Sequence, residues 1–189
     1  MVDTPDGVKT GSSVVYQRYR FGQNILGVSG GSYTLQGEAV VVDLGSGKYL
    51  FALLDNKHVP KGAYDDVLGQ HYSSSRVKLR NIKRLKDAFP IPSEAYPRLV
   101  TFDDINDPKT VREVDPFDLP TIFGEGYALQ KMTLQMTEEP VTEEIIEDFP
   151  FWPMLKKQVS LSGLRAYDAN FPNPINYLTD RVFIRKGVK

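Results

Sequence analysis

The sequence predicts a mainly β fold of the α+β class, an antiparallel β-sandwich or partly closed barrel with one amphipathic helix and short helical turns. Three observations lead to this prediction. Apolar, β-branched and aromatic residues dominate most of the patterned segments. Turns and hairpins, rather than long helical crossovers, separate these segments. Only one long segment, at residues 76–89, has apolar residues at helical spacing.

The strongest single pattern is a β-hairpin within residues 33–54. Two apolar runs, at residues 40–42 and 49–54, flank a short glycine-rich turn at residues 45–47. Because these runs are continuous rather than alternating, both faces of the hairpin are expected to be covered. The hairpin should therefore lie at the centre of the domain, with Asp43 capping its turn.

The remaining elements follow from turn residues and periodicity. A tight turn is expected at residues 4–7, where proline, aspartate and glycine are adjacent. The helix at residues 76–89 has serines as candidate N-caps and is stopped by Pro90. Short helices are expected at residues 115–123, capped by Asp115, and 142–149, with a helical turn at 173–178. Further strands are expected at residues 11–21, 98–102, 110–114, 127–137, 158–164 and 181–185.

Length and composition favour one soluble domain of 189 residues. It should consist of a β-rich core at residues 8–54 and 98–137, a helical insertion at about 62–90, and an irregular C-terminal part at 138–189. No apolar run reaches the roughly 18 residues that a membrane-spanning helix needs, and no signal-peptide pattern is present. Zero cysteines exclude disulfides and thiol chemistry.

Candidate catalytic residues are few. His58 and His71 are the only histidines, and both lie in polar segments without a Gly-x-Ser-x-Gly elbow. Asp103 and Asp104 complete the set that a hydrolase-like enzyme with dispersed aspartates and histidines would use. Surface histidines are the preferred interpretation, and no cofactor is expected.

The aspartates at residues 103–107 also suggest calcium, which prefers clustered oxygen ligands. The calcium-loop pattern needs glycine at its sixth position and glutamate at its twelfth, whereas these positions hold Lys109 and Asp115. A tight turn whose side chains bond locally is therefore preferred, and no metal site is expected.

Charge is locally concentrated although the net charge is only −1. The basic segment 76–86 carries six of the 23 cationic residues, and its candidate binding residues are Arg76, Arg80, Lys83 and Arg84. A helix with a basic solvent face is preferred to a nucleic-acid site, because no recognition module accompanies it. The acidic run at 138–148 is expected to be a solvated face. The two segments could pair within one molecule or between copies, which would give a homo-oligomer.

One aromatic and proline-rich segment, at residues 149–153, contains the single tryptophan, Trp152. Such a segment is expected to plug the core, although an exposed Trp152 would be a candidate binding residue.

Four groups of short sequence stretches, which together span most of the chain, resemble sequences of a known protein family. They are VDTPDGVKTGSSV (2–14), GEAVVVDL with LFALL (37–44 and 50–54), DINDPKTV with VDP (104–111 and 114–116), and MTEEPVT (136–142). Together they resemble a family of small uncharacterised proteobacterial proteins, many of them predicted envelope lipoproteins. The resemblance implies a location in the bacterial envelope or periplasm. It implies no established activity and no catalytic residues, and this chain has neither the leader nor the lipidated cysteine that such proteins usually have.

The expected function is that of a non-enzymatic binding or structural module of the bacterial cell envelope, with an unknown protein or envelope partner. The alternative is a hydrolase-like enzyme with its aspartates and histidines in a cleft. A weaker alternative is nucleic-acid binding through the basic helix, which would be sensitive to salt.

Overall fold

The computed structural model describes residues 1–21, 31–54, 87–155 and 183–186. In these ranges strand predominates over helix, and the paired strands are antiparallel, so the predicted mainly β, antiparallel fold is confirmed. The strands are β1 (Val2–Thr4), β2 (Gly7–Lys9), β3 (Tyr16–Phe21), β4 (Gly31–Glu38), β5 (Val40–Gly45), β6 (Lys48–Ala52), β7 (Phe89–Pro90), β8 (Leu99–Phe102), β9 (Val111–Val114), β10 (Ala128–Leu129), β11 (Thr133–Leu134) and β12 (Ile184–Arg185). The short helix α1 (Pro120–Phe123) and 3-10 turns at Ser93–Ala95, Pro108–Thr110 and Ile146–Asp148 accompany them, and residues 152–155 are also helical.

The described strands form four sheets. The largest has the order β5-β6-β8-β9, and the others have the orders β10-β1-β2, β12-β4-β3 and β11-β7. The β1–β2 hairpin turns at Pro5 and Asp6, where the sequence predicts a turn, and the Thr4 hydroxyl donates to the Gly7 carbonyl at 2.7 Å. Within the described residues, no helix is long and apolar enough to span a bilayer.

The predicted central hairpin is formed by β5 and β6. Its two loop residues, Ser46 and Gly47, have φ angles of 54° and 74°, and positive φ at both positions is what a type I′ hairpin turn requires. A bulge lies between Asp43 and Gly45. The Asp43 carboxylate accepts a hydrogen bond from the Gly45 N–H at 2.8 Å, so the predicted capping role of Asp43 is confirmed.

Both faces of the β5-β6-β8-β9 sheet are covered, as the continuous apolar runs predict. We call the cluster on one face the aromatic core and the cluster on the other face the aliphatic core. The aromatic core includes Phe51, Leu53, Val100, Val111, Phe151, Trp152 and Phe183. The aliphatic core includes Val2, Val42, Leu44, Leu50, Leu99, Val114, Leu119 and Phe123.

Phe51 is the centre of the aromatic core and is 0% exposed. The rings of Phe102, Phe149, Phe151 and Phe183 meet it edge-on at centroid distances of 5.2 to 5.9 Å. Edge-to-face contacts at this separation are favourable because the positive ring edge faces the negative ring face. These rings connect β6 to segments that follow it much later in the chain.

The segment around Trp152 is a core plug. Trp152 is only 5% exposed and belongs to the aromatic core, and its backbone N–H donates to the Phe149 backbone carbonyl at 3.0 Å. The predicted plug is confirmed, and the indole is not on the surface where an exposed binding residue would lie.

Several predicted boundaries are wrong. Residues 87–89 are not helical, since Phe89 starts β7, and the residue before a proline is disfavoured in the α conformation. The helix expected at 115–123 begins only at Pro120, because Asp115 caps an earlier turn through the Phe117 N–H. The helix expected at 142–149 is a single 3-10 turn at Ile146–Asp148.

The strands expected at residues 11–21 and 127–137 are also shorter than predicted. The first begins at Tyr16, and the second is split into β10 and β11, which pair with different sheets. Residues 76–86, 158–164, 173–178 and 181–182 lie outside the described ranges, so the elements predicted there stay predictions.

Candidate functional site

A cleft of about 350 Å³ lies against the aliphatic-core face of the central sheet, and we call it the sheet cleft. Its floor is formed by β5, β6 and β8 and consists of Val40, Val42, Leu50, Ala52 and Leu99. Alternation along these strands places these side chains on one face. The floor therefore offers only aliphatic surface to a molecule in the cleft.

One wall of the cleft is the segment at residues 11–15, which we call the strap. The strap has no regular secondary structure and runs between β2 and β3. Gly11 lies so close to β5 that a Cβ at this position would overlap the Val41 carbonyl oxygen. At the other end, a Cβ on Gly37 of β4 would lie 2.8 Å from Cγ1 of Val15. Two glycines thus allow the strap to pass close to two strands.

The middle of the strap is held by Thr142. The Val14 N–H donates to the Thr142 hydroxyl at 3.0 Å, and the Thr142 N–H donates to the Val14 carbonyl at 3.1 Å. The Thr142 hydroxyl also lies 3.4 Å from that carbonyl, to which it donates. A segment 128 residues away in sequence therefore fixes the strap beside the cleft.

The opposite wall follows the chain from Leu129 to Glu139 and is tied to neighbouring segments by the backbone. The Ile91 N–H donates to the Met132 carbonyl at 3.0 Å, and the Met1 amine donates to the Lys131 carbonyl at the same distance. Partial burial, together with the nearby charge of Lys131, lowers the pKa of the Met1 amine.

Polar groups of the cleft lie mainly at its rim. Lys131, Gln135, Thr137 and Glu139 line it and are exposed residues. Ser13, in the strap, differs from them because its Oγ atom is buried and has no hydrogen-bond partner among the described residues. A buried hydroxyl without a partner is uncommon in folded proteins.

The sheet cleft has few charged groups on its lining. The charged groups on its lining are the Met1 amine, Lys131 and Glu139. Across the described ranges, no group of three histidine, cysteine or acidic residues could hold a metal ion. An aliphatic floor with a few polar groups around it is typical of small-molecule sites in general.

Asp103 and Asp104, the described members of the predicted catalytic set, lie in a turn and do not line the cleft. Asp104 Oδ1 accepts from the Asn106 N–H at 2.9 Å and from Asn106 Nδ2 at 2.8 Å, and these bonds lower the pKa of Asp104. Asp103 forms a 3.3 Å ion pair with Arg112. The prediction of a locally bonded turn is confirmed.

The other predicted candidates lie outside the described residues. They are His58, His71, Arg76, Arg80, Lys83 and Arg84. The hydrolase-like and nucleic-acid alternatives depend on them and therefore stay predictions.

The acidic run is largely on the surface, as expected. Glu138, Glu144 and Asp148 are exposed, while Glu147 forms a 2.9 Å ion pair with Lys186. The hydrogen bond from this ammonium to Glu147 raises the pKa of Lys186. The charge of the run is thus partly balanced by the chain itself.

Glu38 and Ser13 are buried or partly buried polar residues that are not among the site residues predicted from sequence. Glu38 is 0% exposed at the end of β4, and its Oε2 accepts from the Ile146 N–H at 3.0 Å. Its Oε1 has no partner in the described part of the chain. A charged residue within an apolar hairpin was the one available signal for Glu38, whereas the burial of Ser13 depends on contacts distant in sequence.

Comparisons with known proteins add no relative. No protein-family model matches the chain, and neither a curated protein nor a solved structure is significantly similar to it. The resemblance to small proteobacterial envelope proteins therefore stays a prediction that rests on the stretches quoted above.

Proposed function

We propose that this protein is a non-enzymatic binding module of the bacterial cell envelope and that it holds an apolar ligand in the sheet cleft. The observation that carries the proposal is the aliphatic floor, formed by Val40, Val42, Leu50, Ala52 and Leu99. A ligand that displaces water from apolar surface inside a concave site binds with a more favourable free energy.

The walls support the same proposal. The strap is hydrogen-bonded to Thr142 and passes close to Val41 and Gly37, and the opposite wall is hydrogen-bonded to Ile91 and to Met1. A site built from fixed segments binds with a small loss of conformational entropy. The volume of about 350 Å³ lies near the lower end of the roughly 300 to 1,000 Å³ range of small-molecule sites.

The envelope location is supported by the resemblance of residues 2–14 and 37–44 to envelope proteins. Fractionation of cells that express the full-length gene from its own promoter tests this part of the proposal. Recovery in the periplasmic or membrane fractions is expected, and recovery in the cytoplasm alone would contradict the location.

The binding proposal is tested with N-phenyl-1-naphthylamine, an apolar dye that becomes fluorescent in apolar surroundings. The native protein is expected to increase its emission in a saturable way. Ala52→Leu places a larger side chain on the cleft floor and should weaken dye binding at least tenfold. Ala128→Leu is the matched control, because Ala128 is an exposed strand residue that does not line the cleft.

A second cleft variant is needed because Ala52→Leu could lose binding through misfolding alone. Thr133→Trp narrows the cleft from the exposed wall, where an aromatic residue in a strand is well tolerated. Weakened binding in both cleft variants, but not in Ala128→Leu, supports the proposal. Equal binding in all the folded variants, or no saturable binding by the native protein, would refute it.

A further inference from the structure

Residues 142–146, which we call the clamp, connect the strap to strand β4 through hydrogen bonds at both ends. At one end, the Val14 N–H donates to the Thr142 hydroxyl at 3.0 Å, and the Thr142 N–H donates to the Val14 carbonyl at 3.1 Å. At the other end, the Ile146 N–H donates to Oε2 of Glu38 at 3.0 Å. The clamp is therefore held between a wall of the sheet cleft and a buried carboxylate that does not line the cleft.

Strand β4 contacts both the clamp and the strap. Gln36 Nε2 donates to Oε1 of Glu143, in the clamp, at 3.1 Å. A Cβ on the next residue, Gly37, would lie 2.8 Å from Cγ1 of Val15 in the strap. Three consecutive residues of β4 thus contact the clamp or the strap, so the strap, the clamp and the end of β4 pack as one unit.

Two buried side-chain oxygens without a hydrogen-bond partner among the described residues lie at the two ends of this unit. They are Oγ of Ser13, in the strap, and Oε1 of Glu38, in β4. A buried polar atom without a partner costs free energy, and this cost disappears when water reaches the atom. Release of the strap and the clamp is therefore easier than release of a segment whose polar atoms are all paired.

We propose that the strap and the clamp detach and reattach as one cooperative unit, and that a ligand in the sheet cleft stabilises the attached state. Only the attached strap forms a wall of the cleft, so a ligand that needs this wall shifts the equilibrium toward attachment. Occupation of the cleft thereby stabilises the bond between Glu38 and Ile146, a residue of the aromatic core. The effect of the ligand rests on the proposed function, whereas the cooperative release does not.

Hydrogen exchange at three amides tests the cooperative release. The N–H groups of Val14, Thr142 and Ile146 make the bonds that hold the unit. Because segments that open cooperatively share one opening free energy, these amides should have matching protection factors. Their protection should be lower than that of the Phe51 amide, in the middle of the central sheet. An Ile146 amide that is as protected as Phe51, while Val14 exchanges much faster, would overturn the proposal.

Ser13→Ala tests whether the two ends of the unit are coupled. Alanine removes the unpaired hydroxyl and so stabilises the attached state, and exchange at the Ile146 amide should slow about fivefold or more. Exchange at the Val14 amide should slow by the same factor. Ser12→Ala is the matched control, because Ser12 is the exposed neighbour in the strap, and it should leave both rates unchanged. Slower exchange at Val14 alone would refute the coupling.

N-phenyl-1-naphthylamine tests the effect of a ligand. At about ten times its dissociation constant, the dye should slow exchange at the Ile146 amide about tenfold, because the strap is released only from dye-free protein. The Lys109 N–H, which donates to Asp107 in a turn outside the cleft, is the control and should exchange at its original rate.

The outcomes separate the two proposals. If the dye binds but leaves exchange at Ile146 unchanged, the coupling to the cleft is refuted while the proposed function stands. If the dye does not bind, the proposed function fails, and the effect of the ligand fails with it. The comparison of Ser13→Ala with Ser12→Ala needs no dye, so it supports or refutes the cooperative release in either case.

Discussion

The backbone of Gly11 lies directly against the carbonyl group of Val41. A methyl group at residue 11 would overlap the carbonyl oxygen and would lie 3.1 Å from Cγ2 of Val42. This contact is where the strap meets the central sheet, at one edge of the cleft. The identity of residue 11 therefore controls whether the strap can occupy its place.

Gly11→Ala is expected to destabilise the protein, because the added methyl group must displace the strap or strand β5. Overpacking of this kind costs about 1–3 kcal/mol in the free energy of unfolding. Chemical denaturation monitored by circular dichroism measures the loss. Ser12→Ala, one residue further along the strap, should change stability little, and an equally stable Gly11→Ala protein would show that the close approach is not required.

Thr142→Val tests the other attachment of the strap. Valine has nearly the shape of threonine but lacks the hydroxyl to which the Val14 N–H donates at 3.0 Å. The variant should lose about 1–3 kcal/mol of stability, since the amide is left unpaired. Hydrogen exchange at the Val14 amide should accelerate, whereas Thr142→Ser should preserve its protection. Unchanged exchange in Thr142→Val would mean that this hydroxyl does not hold the strap.

Glu38→Ala tests the buried carboxylate at the end of β4. Alanine removes the acceptor of the Ile146 N–H, and an unpaired buried amide costs about 1–3 kcal/mol in unfolding free energy. Glu38→Gln keeps an oxygen in reach and should lose less. Glu125→Ala, at an exposed glutamate, is the surface control. The role assigned to Glu38 is contradicted if its alanine variant melts like the control.

The turn at Asp104 predicts how the carboxyl group of this residue titrates in acid. Hydrogen bonds from Asn106 hold the pKa of Asp104 below its usual range in the folded protein. A carboxyl group with a lowered folded pKa stabilises the protein above its unfolded pKa, and this contribution is lost as pH falls through the folded value. NMR titration of the Asp104 carboxyl group should show the low pKa, and Asn106→Ala should raise it part of the way. An ordinary value in the native protein would refute the turn geometry.

The central hairpin could be predicted from sequence because its signals are local. Glycine at residue 45 and at residue 47, with apolar runs on both sides, specifies a tight turn, and the continuity of the runs indicates two covered faces. The Asp turn at residues 103–107 is local in the same sense. Its side chains bond to backbone groups two residues away.

The strap and the cleft could not be predicted, because they depend on contacts between distant segments. Gly11 allows the strap to approach Val41 closely, and the backbone N–H of Val14 donates to the Thr142 hydroxyl. Neither contact leaves a periodic pattern in the sequence. The alternation at residues 127–137 indicated one strand, yet the chain leaves its first sheet after Leu129 and joins another at Thr133. Tertiary pairing decided where those strands end.

Methyl NMR with the apolar dye tests the central claim most directly. Adjacent residues of a strand in the central sheet face opposite cores. Residues of the aromatic core therefore serve as an internal control for residues on the cleft floor. Saturation with N-phenyl-1-naphthylamine is expected to shift the methyl signals of Val42, Leu50 and Leu99 on the cleft floor, and to leave those of Leu53 and Val100 in the aromatic core unchanged. Shifts confined to Leu53 and Val100, or no shift at any of these methyl groups, would contradict binding in the sheet cleft.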